Sequence, residues 1–239
     1  MSQNRYTPPG ADLRTGGDDT SLGTGDFDFG ICLAEAWSKT WSNFLLWLGV
    51  SFVWLLALGV ATFTVVGIFL VVPVLFWGMF RFYLAMYDGD ATFGDVFSGF
   101  SRYGNALWNM LVFFVVTVVV GIPGQIIAGV GQNADSLALQ LIGILVNLGV
   151  TLLVSLRLWF APMLIVDRDM NAVDALRYSW DVTDRVKWKL IGIFILSILL
   201  PVLGVLALLV GVIPATVMAY LLIVSAYRQV VGGPISHRG

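Results

Sequence analysis

The sequence predicts an all-α polytopic membrane bundle. Its six transmembrane helices form three hairpins, each preceded by a short cytoplasmic interfacial amphipathic helix. Three observations predict it. Hydrophobic residues make up 58% of the 239 and charged residues only 12%, with a mean hydropathy of +0.88. A soluble domain carries about 25% charged residues, so the chain is built for lipid. Apolar runs of roughly 20 residues recur, the length that crosses a ~30 Å hydrocarbon layer at ~1.5 Å per residue. Finally, all 13 Lys and Arg residues fall in or toward one alternating set of segments: the N-terminal region, 81–104, 157–189 and the C-terminal end.

Residues 1–26 are rich in Pro, Gly, Asp, Thr and Ser. They lack the apolar core of a signal peptide and read as a disordered tail. From Phe27 to Asn43, Trp37, Trp41 and Phe44 recur at helical spacing with Glu35 and Lys39 between them, an amphipathic pattern of interfacial type. Phe44 to Thr62 is the first span, and Val65 to Met86 the second after a two-residue turn.

Residues 88–104 repeat the interfacial theme. Thr92 and Asp95 have capping-box spacing, and Phe93, Phe97 and Phe100 share a face. The third span, Leu107 to Ala128, is interrupted at Gly121–Gly124, breakers that neighbouring helices can accommodate. A polar connection over 129–140 leads to the fourth span, Leu141 to Ile165. The fifth is Leu190 to Val210 and the sixth Ile213 to Val230, joined through Gly211 and Pro214; a short polar tail, 232–239, follows.

The stretch Arg157 to Lys189 organises the chain. It ends one span, turns through an Asp-bracketed corner and starts a helix over 171–185. Asn171 caps that helix, with Asp174 at the capping-box position. Val173, Leu176, Trp180 and Thr183 form the expected apolar stripe, so the helix is expected to lie flat on the membrane surface. An offset of 79 residues places Asp88 on Asp167, Asp90 on Asp169, Thr92 on Asn171 and Asp95 on Asp174. An offset of 60 places Glu35 on Asp95, and Pro73 and Pro214 are 141 apart. The expected membrane domain, 27–231, therefore divides into units of about 27–87, 88–166 and 167–231.

Connections near 63–64, 129–140 and 211–212 carry no basic residue, so both termini are expected in the cytoplasm. The basic residues make no polybasic lipid patch: segment 167–189 has five basic and five acidic residues, and residues 1–43 sum to −3. A net charge of −2 excludes the basic surplus of a nucleic-acid binder. Cys32, the only cysteine, excludes an intramolecular disulfide.

Candidate functional residues are intramembrane and polar. Arg81, Arg157 and Arg228 lie one to three turns inside the basic ends of spans two, four and six. An unpaired charge there is costly, which marks a site, yet arginine also reaches the interface by snorkelling. For Arg157, ten residues before Asp167, both readings stay open. Asn147, Thr151 and Ser155 share one face of span four. Such a stripe either lines a solute path or bonds neighbouring helices, and bonding is the commoner use. The turns DGD (88–90) and DRD (167–169) offer too few oxygen ligands for Ca²⁺ and read as helix entries. The sole histidine, His237, lies in the tail, and no HExxH, phosphate loop or dinucleotide fingerprint occurs. No catalytic residue, metal or cofactor is expected.

Three stretches carry a family resemblance: ATFGDVFSGFSRYGNALW, FAPMLIVDRDMNAVDALRYSWDVTDRVKWKL and VIPATVMAYLLIVSAYRQV. Over roughly residues 30–231 the chain resembles a broad group of bacterial six-span membrane proteins, a group similar to the membrane domain attached to some glycerophosphodiester phosphodiesterases. The Asp167 turn, Asp174-Ala175-Leu176 with Ser179, and Tyr227-Arg228 carry it most. The resemblance implies a six-span fold and an inner-membrane location. It implies no catalytic residues, because the phosphodiesterase domain is a separate soluble module. The expectation is a non-enzymatic component that organises the bilayer or binds a protein partner. A small-solute transporter, with Arg157 and the span-four stripe on a central cavity, is the alternative, and an enzyme acting on lipid within the membrane is the remaining class.

Overall fold

Ten helices and one 3₁₀ turn make up the described residues 25–63, 65–206 and 211–233 of a computed structural model. The expected tail up to residue 24, residues 207–210 and His237 lie outside them. The chain is an all-α polytopic bundle: among the described residues six helical stretches are long and apolar enough to cross a membrane, Phe44–Thr62, Gly67–Asp88, Tyr103–Asn133, Leu137–Arg168, Ala172–Leu206 and Val212–Val231.

Asp28 caps α1 (Phe29–Ser42), accepting from Ile31 N at 2.9 Å. Only Asn43 separates α1 from α2 (Phe44–Thr62), and Trp47 Nε1 reaches back across that corner to the Thr40 carbonyl at 2.6 Å. Cys32, Ala36 and Thr40 form the inner face of α1, against α10. Trp37 and Trp41 lie on the outer face, and their rings and that of Phe44, the first residue of α2, touch in turn.

The second span is not one helix. It divides at Val71 into α3 (Val65–Leu70) and α4 (Val72–Asp88). Pro73 explains the break: proline has no N–H to donate and tolerates only the first turn of a helix. Gly89, with φ 97°, ends α4 in the left-handed conformation.

The Thr92–Asp95 capping box forms as expected, but it starts a 3₁₀ turn (Phe93–Phe97) and one helical turn, α5 (Ser98–Ser101), instead of a single interfacial helix. Close docking on α4 explains the shortening. A Cβ on Gly78 would lie 1.7 Å from the Val96 carbonyl oxygen, and one on Gly99 would lie 2.2 Å from that of Val74. The segment is pressed backbone to backbone onto α4, while Phe93, Phe97 and Phe100 face outward.

Helix α6 (Tyr103–Asn133) runs through Pro123 without a break, and Ala134–Ser136 alone connect it to α7 (Leu137–Arg157). The polar connection expected over 129–140 is therefore mostly helix. After a turn at Leu158–Phe160 comes α8 (Ala161–Arg168).

The largest correction concerns residues 171–185. They are helical, and Asn171 caps them, accepting from Asp174 N at 2.9 Å. The helix does not stop before the span: α9 runs unbroken from Ala172 to Leu206. Nothing between Asp184 and Leu190 can end a helix, since VKWK contains neither Gly nor Pro. Thirty-five residues make roughly 50 Å of helix, so α9 exceeds the ~30 Å layer by more than a dozen residues. Its inner face keeps only part of the expected stripe: Thr183 is buried and Leu176 packs against the core. Ala172, Ala175, Ser179, Thr183, Val186 and Leu190 are buried, whereas Val173 and Trp180 are exposed. The last helix, α10 (Val212–Val231), is the core of the bundle, packed against α9, α1 and α4. Tyr220 stacks on Tyr83 of α4 with ring centroids 4.7 Å apart.

Candidate functional site: a buried polar network at the basic end

Five consecutive positions near the end of α10, Ser225-Ala226-Tyr227-Arg228-Gln229, carry four polar side chains into the bundle. Arg228 is the centre. Its Nε and one amino group donate to the two oxygens of Asp88 at 3.1 and 2.6 Å, and its amino groups donate to both oxygens of Asp167 at 2.7 and 3.0 Å. The guanidinium is thus gripped by two carboxylates, each bidentate along one of its edges, the geometry that suits a planar fork. Only 5% of the Arg228 side chain and 6% of that of Asp167 is exposed. Asp167 also accepts from the Tyr227 hydroxyl at 2.8 Å. A second cation balances the pair: Arg168 Nε is 4.0 Å from Asp167, and its amino group donates to the Val231 carbonyl at 2.7 Å. Two carboxylates and two guanidiniums make the cluster neutral, which is what permits it to be buried.

Glu35 of α1 extends the network, accepting from the hydroxyls of Tyr87 and Ser225 at 2.6 and 2.5 Å. Gln229 then donates to the Ser225 hydroxyl and to Cys32 Sγ, and its carbonyl accepts from Asp28 N. Burial pushes the Cys32 thiol up from its ordinary pKa, so it behaves as a small apolar residue and not as a nucleophile. One helix thereby ties α1, α4 and α8 together.

The six sequence candidates do not converge. Arg228 joins the network just described. Arg81 is exposed and meets Asp95 at 3.3 Å. Arg157 does not reach Asp167. It forms an ion pair with Asp184 at 2.5 Å, off the hydrogen-bond direction, and its guanidinium lies 5.1 Å from the Trp180 ring centroid. Its carbonyl accepts from Ser179 and Thr183 at 2.8 and 3.0 Å, which explains why α9 turns its hydroxyls inward. Asn147 sits at the α6–α7 seam, where a Cβ on Gly124 would lie 2.3 Å from its own Cβ, and it accepts from Thr151 at 3.3 Å. Ser155 is exposed.

Neither cavity of note involves that stripe. One, of about 300 Å³, is bordered by α2, α4 and α10 and walled mainly by Trp54, Phe76, Phe80, Tyr83 and Tyr220. The other, of about 290 Å³, borders Arg81 and Arg102. Among the described residues no three His, Cys, Asp or Glu side chains cluster as a metal site. Sequence reasoning missed Glu35, Tyr87, Asp88, Asp167, Ser225, Tyr227 and Gln229 as network members. A signal existed for two of them: the aspartates paired by the 79-residue offset, Asp88 and Asp167, are the two that hold Arg228. Compared with family models, curated proteins and solved structures, the chain matches none.

Proposed function

We propose that the chain is a non-enzymatic integral protein of the bacterial inner membrane that organises the bilayer around it or holds a protein partner. In this reading it belongs with the six-span group its motifs resemble, and the basic end with both termini is cytoplasmic. The observation that carries the reading is the closure of the polar network. Arg228 spends its donors on Asp88 and Asp167, and Glu35 is occupied by Tyr87 and Ser225, so the charged groups fasten helices to each other. The placement of Asn147 and Thr151 at a helix seam, away from either cavity, weighs against the transporter reading.

Reconstitution into liposomes tests the choice. The proposal expects fluxes of small sugars, amino acids and ions no faster than through empty liposomes, with a dose-dependent change in bilayer order reported by an interfacial fluorophore. Solute flux above background that Arg157→Leu abolishes would replace it with the transporter. Orientation is tested separately: in a Cys32→Ala background, a cysteine at Asn133 should label from the periplasm only.

A further inference from the structure

The second cavity is polar and lies where α4, the Phe93–Ser101 segment and the end of α8 meet. Arg81, Asp95, Ser98, Ser101 and Arg102 wall it, with Trp77 and Val166 on its apolar side. Two guanidiniums facing one cavity of about 290 Å³ are unusual unless something neutralises them. The local carboxylates Asp95 and Asp169 balance the charge but leave most of the guanidinium donors unused. Asp95 gives one oxygen to the Thr92 N–H and hydroxyl at 2.7 and 2.8 Å, as its capping role requires, and meets Arg81 through the other at 3.3 Å, by Nε alone. Arg81 therefore keeps both terminal amino groups. Arg102 meets Asp169 through a single amino nitrogen, leaving its Nε and second amino group. Both side chains are about half exposed, unlike that of Arg228, so neither is locked into the bundle.

Depth adds a second argument. Arg81 is seven residues before Asp88, so its Cα lies about 10 Å along α4 from the helix end. Trp77, one turn deeper, supplies an apolar wall beneath the charges. Charge above and an aromatic wall below match the layout of a headgroup over an acyl chain.

We propose that this cavity binds a phosphate ester or phosphate anion, held between the free donors of Arg81 and Arg102. That chemistry comes either on a lipid headgroup or as a free phosphate, and the site is independent of whether the bundle organises membranes or moves solutes. Planar guanidinium forks recognise phosphate oxygens in pairs, and two such forks set the anion's position.

The test uses the full chain in dodecyl maltoside, a phosphate-free detergent. Dioleoyl phosphatidylglycerol, dioleoylglycerol and inorganic phosphate are each titrated, and bound species are counted by native mass spectrometry. Phosphatidylglycerol should saturate one site that dioleoylglycerol does not fill. Its affinity should fall about tenfold or more in Arg81→Gln/Arg102→Gln and in Ser101→Asp, while Arg177→Gln, outside the cavity, leaves it unchanged. Displacement of the lipid by inorganic phosphate makes the anion alone the ligand; no displacement makes the lipid-borne phosphate the ligand. Equal phosphatidylglycerol affinity in the parent and Ser101→Asp, or equal binding of dioleoylglycerol, overturns the proposal. Ser101 is exposed and Ser101→Asp adds a carboxylate to the cavity wall while keeping both arginines, so it decides the matter even where the double variant fails to fold.

Discussion

The α4/α10 pair and the α6/α7 pair are both long and apolar, yet they are held in opposite ways. In the most apolar window of α10, 61% of residues are buried within the bundle, and in that of the α3–α4 span 50%; for α6 the share is 11% and for the α7–α8 span 6%. The first pair is fastened by charge at the basic end, through Asp88, Asp167 and Arg228, and by the stacked Tyr83 and Tyr220 rings. The second is fastened mainly to itself, along a seam where Gly124, Gly131 and Gly143 let the backbones touch. Apolar content does not separate the two cases, because lipid and helix are equally good solvents for Leu and Val. What separates them is where charges pair and where small residues recur.

The largest effect should come from breaking the charged fastening. Arg228→Leu leaves Asp88 and Asp167 facing each other in a nearly closed site, and removing one partner of a buried pair costs about 3–5 kcal/mol. Arg228→Lys keeps the charge but loses the fork, and should fall between Leu and the parent. Thermal unfolding in detergent ranks the three. If Arg228→Leu melts with the parent, the fastening is decorative.

The seam comes next. A Cβ at position 124 would lie 2.3 Å from Asn147 Cβ and 2.6 Å from its Cα, so Gly124→Leu must push α6 and α7 apart, at a cost of about 1–3 kcal/mol. The damage should stay local. Hydrogen exchange should quicken in α6 and α7 and stay slow in α4 and α10. Uniform acceleration across all four would show that the two regions are one cooperative unit.

Helix α9 packs against both regions, and its inner face can be tested for register. Ala175 and Thr183 are fully buried, and Trp180 is exposed apart from its contact with Arg157. Ala175→Asp should therefore destabilise more than Trp180→Asp. Thr183→Val, which strips a hydroxyl from the Arg157 carbonyl, should cost about 0.5–1.5 kcal/mol. The reverse order for the two Asp variants would restore the stripe read from Val173, Leu176, Trp180 and Thr183.

That misread stripe shows what the chain makes legible. Spans are readable because lipid demands about 20 apolar residues whatever their neighbours, and α2 begins and ends where the apolar run does. Starts of helices are readable because caps are local: Asp95 and Asn171 both act as their spacing indicates. Faces are harder. On α9 Ser179 points inward beside Thr183 because the end of α7 offers a carbonyl there, and no feature of residues 171–185 records that for Ser179. The network failed for the same reason. Asp88 and Asp167 read as turn residues, since the arginine between them is 140 and 61 positions away along the chain.

The smallest effect tests whether the tightly packed side extends to the beginning of the described chain. Lys189 of α9 donates to Asp26 Oδ2 at 2.6 Å and to the Phe27 carbonyl at 3.0 Å, and its ammonium lies 5.8 Å from the Phe27 ring centroid. Phe27 itself is buried, so this contact pins the entry to α1 onto the side of the bundle held by α10. The Lys189 hydrogen bond holds the Asp26 carboxyl below its ordinary value of 3.8. A carboxyl whose pKa is lower folded than unfolded stabilises above the unfolded value and loses that contribution as pH falls through the folded one. Because the pair is exposed and screened, Asp26→Asn should lower the melting temperature only slightly at pH 7. The gap between parent and Asp26→Asn should narrow as pH drops below 3.8 and close once the carboxyl is protonated. High salt at pH 7 should narrow it as well. A gap that persists at low pH would mean that the difference does not come from the charge pair with Lys189.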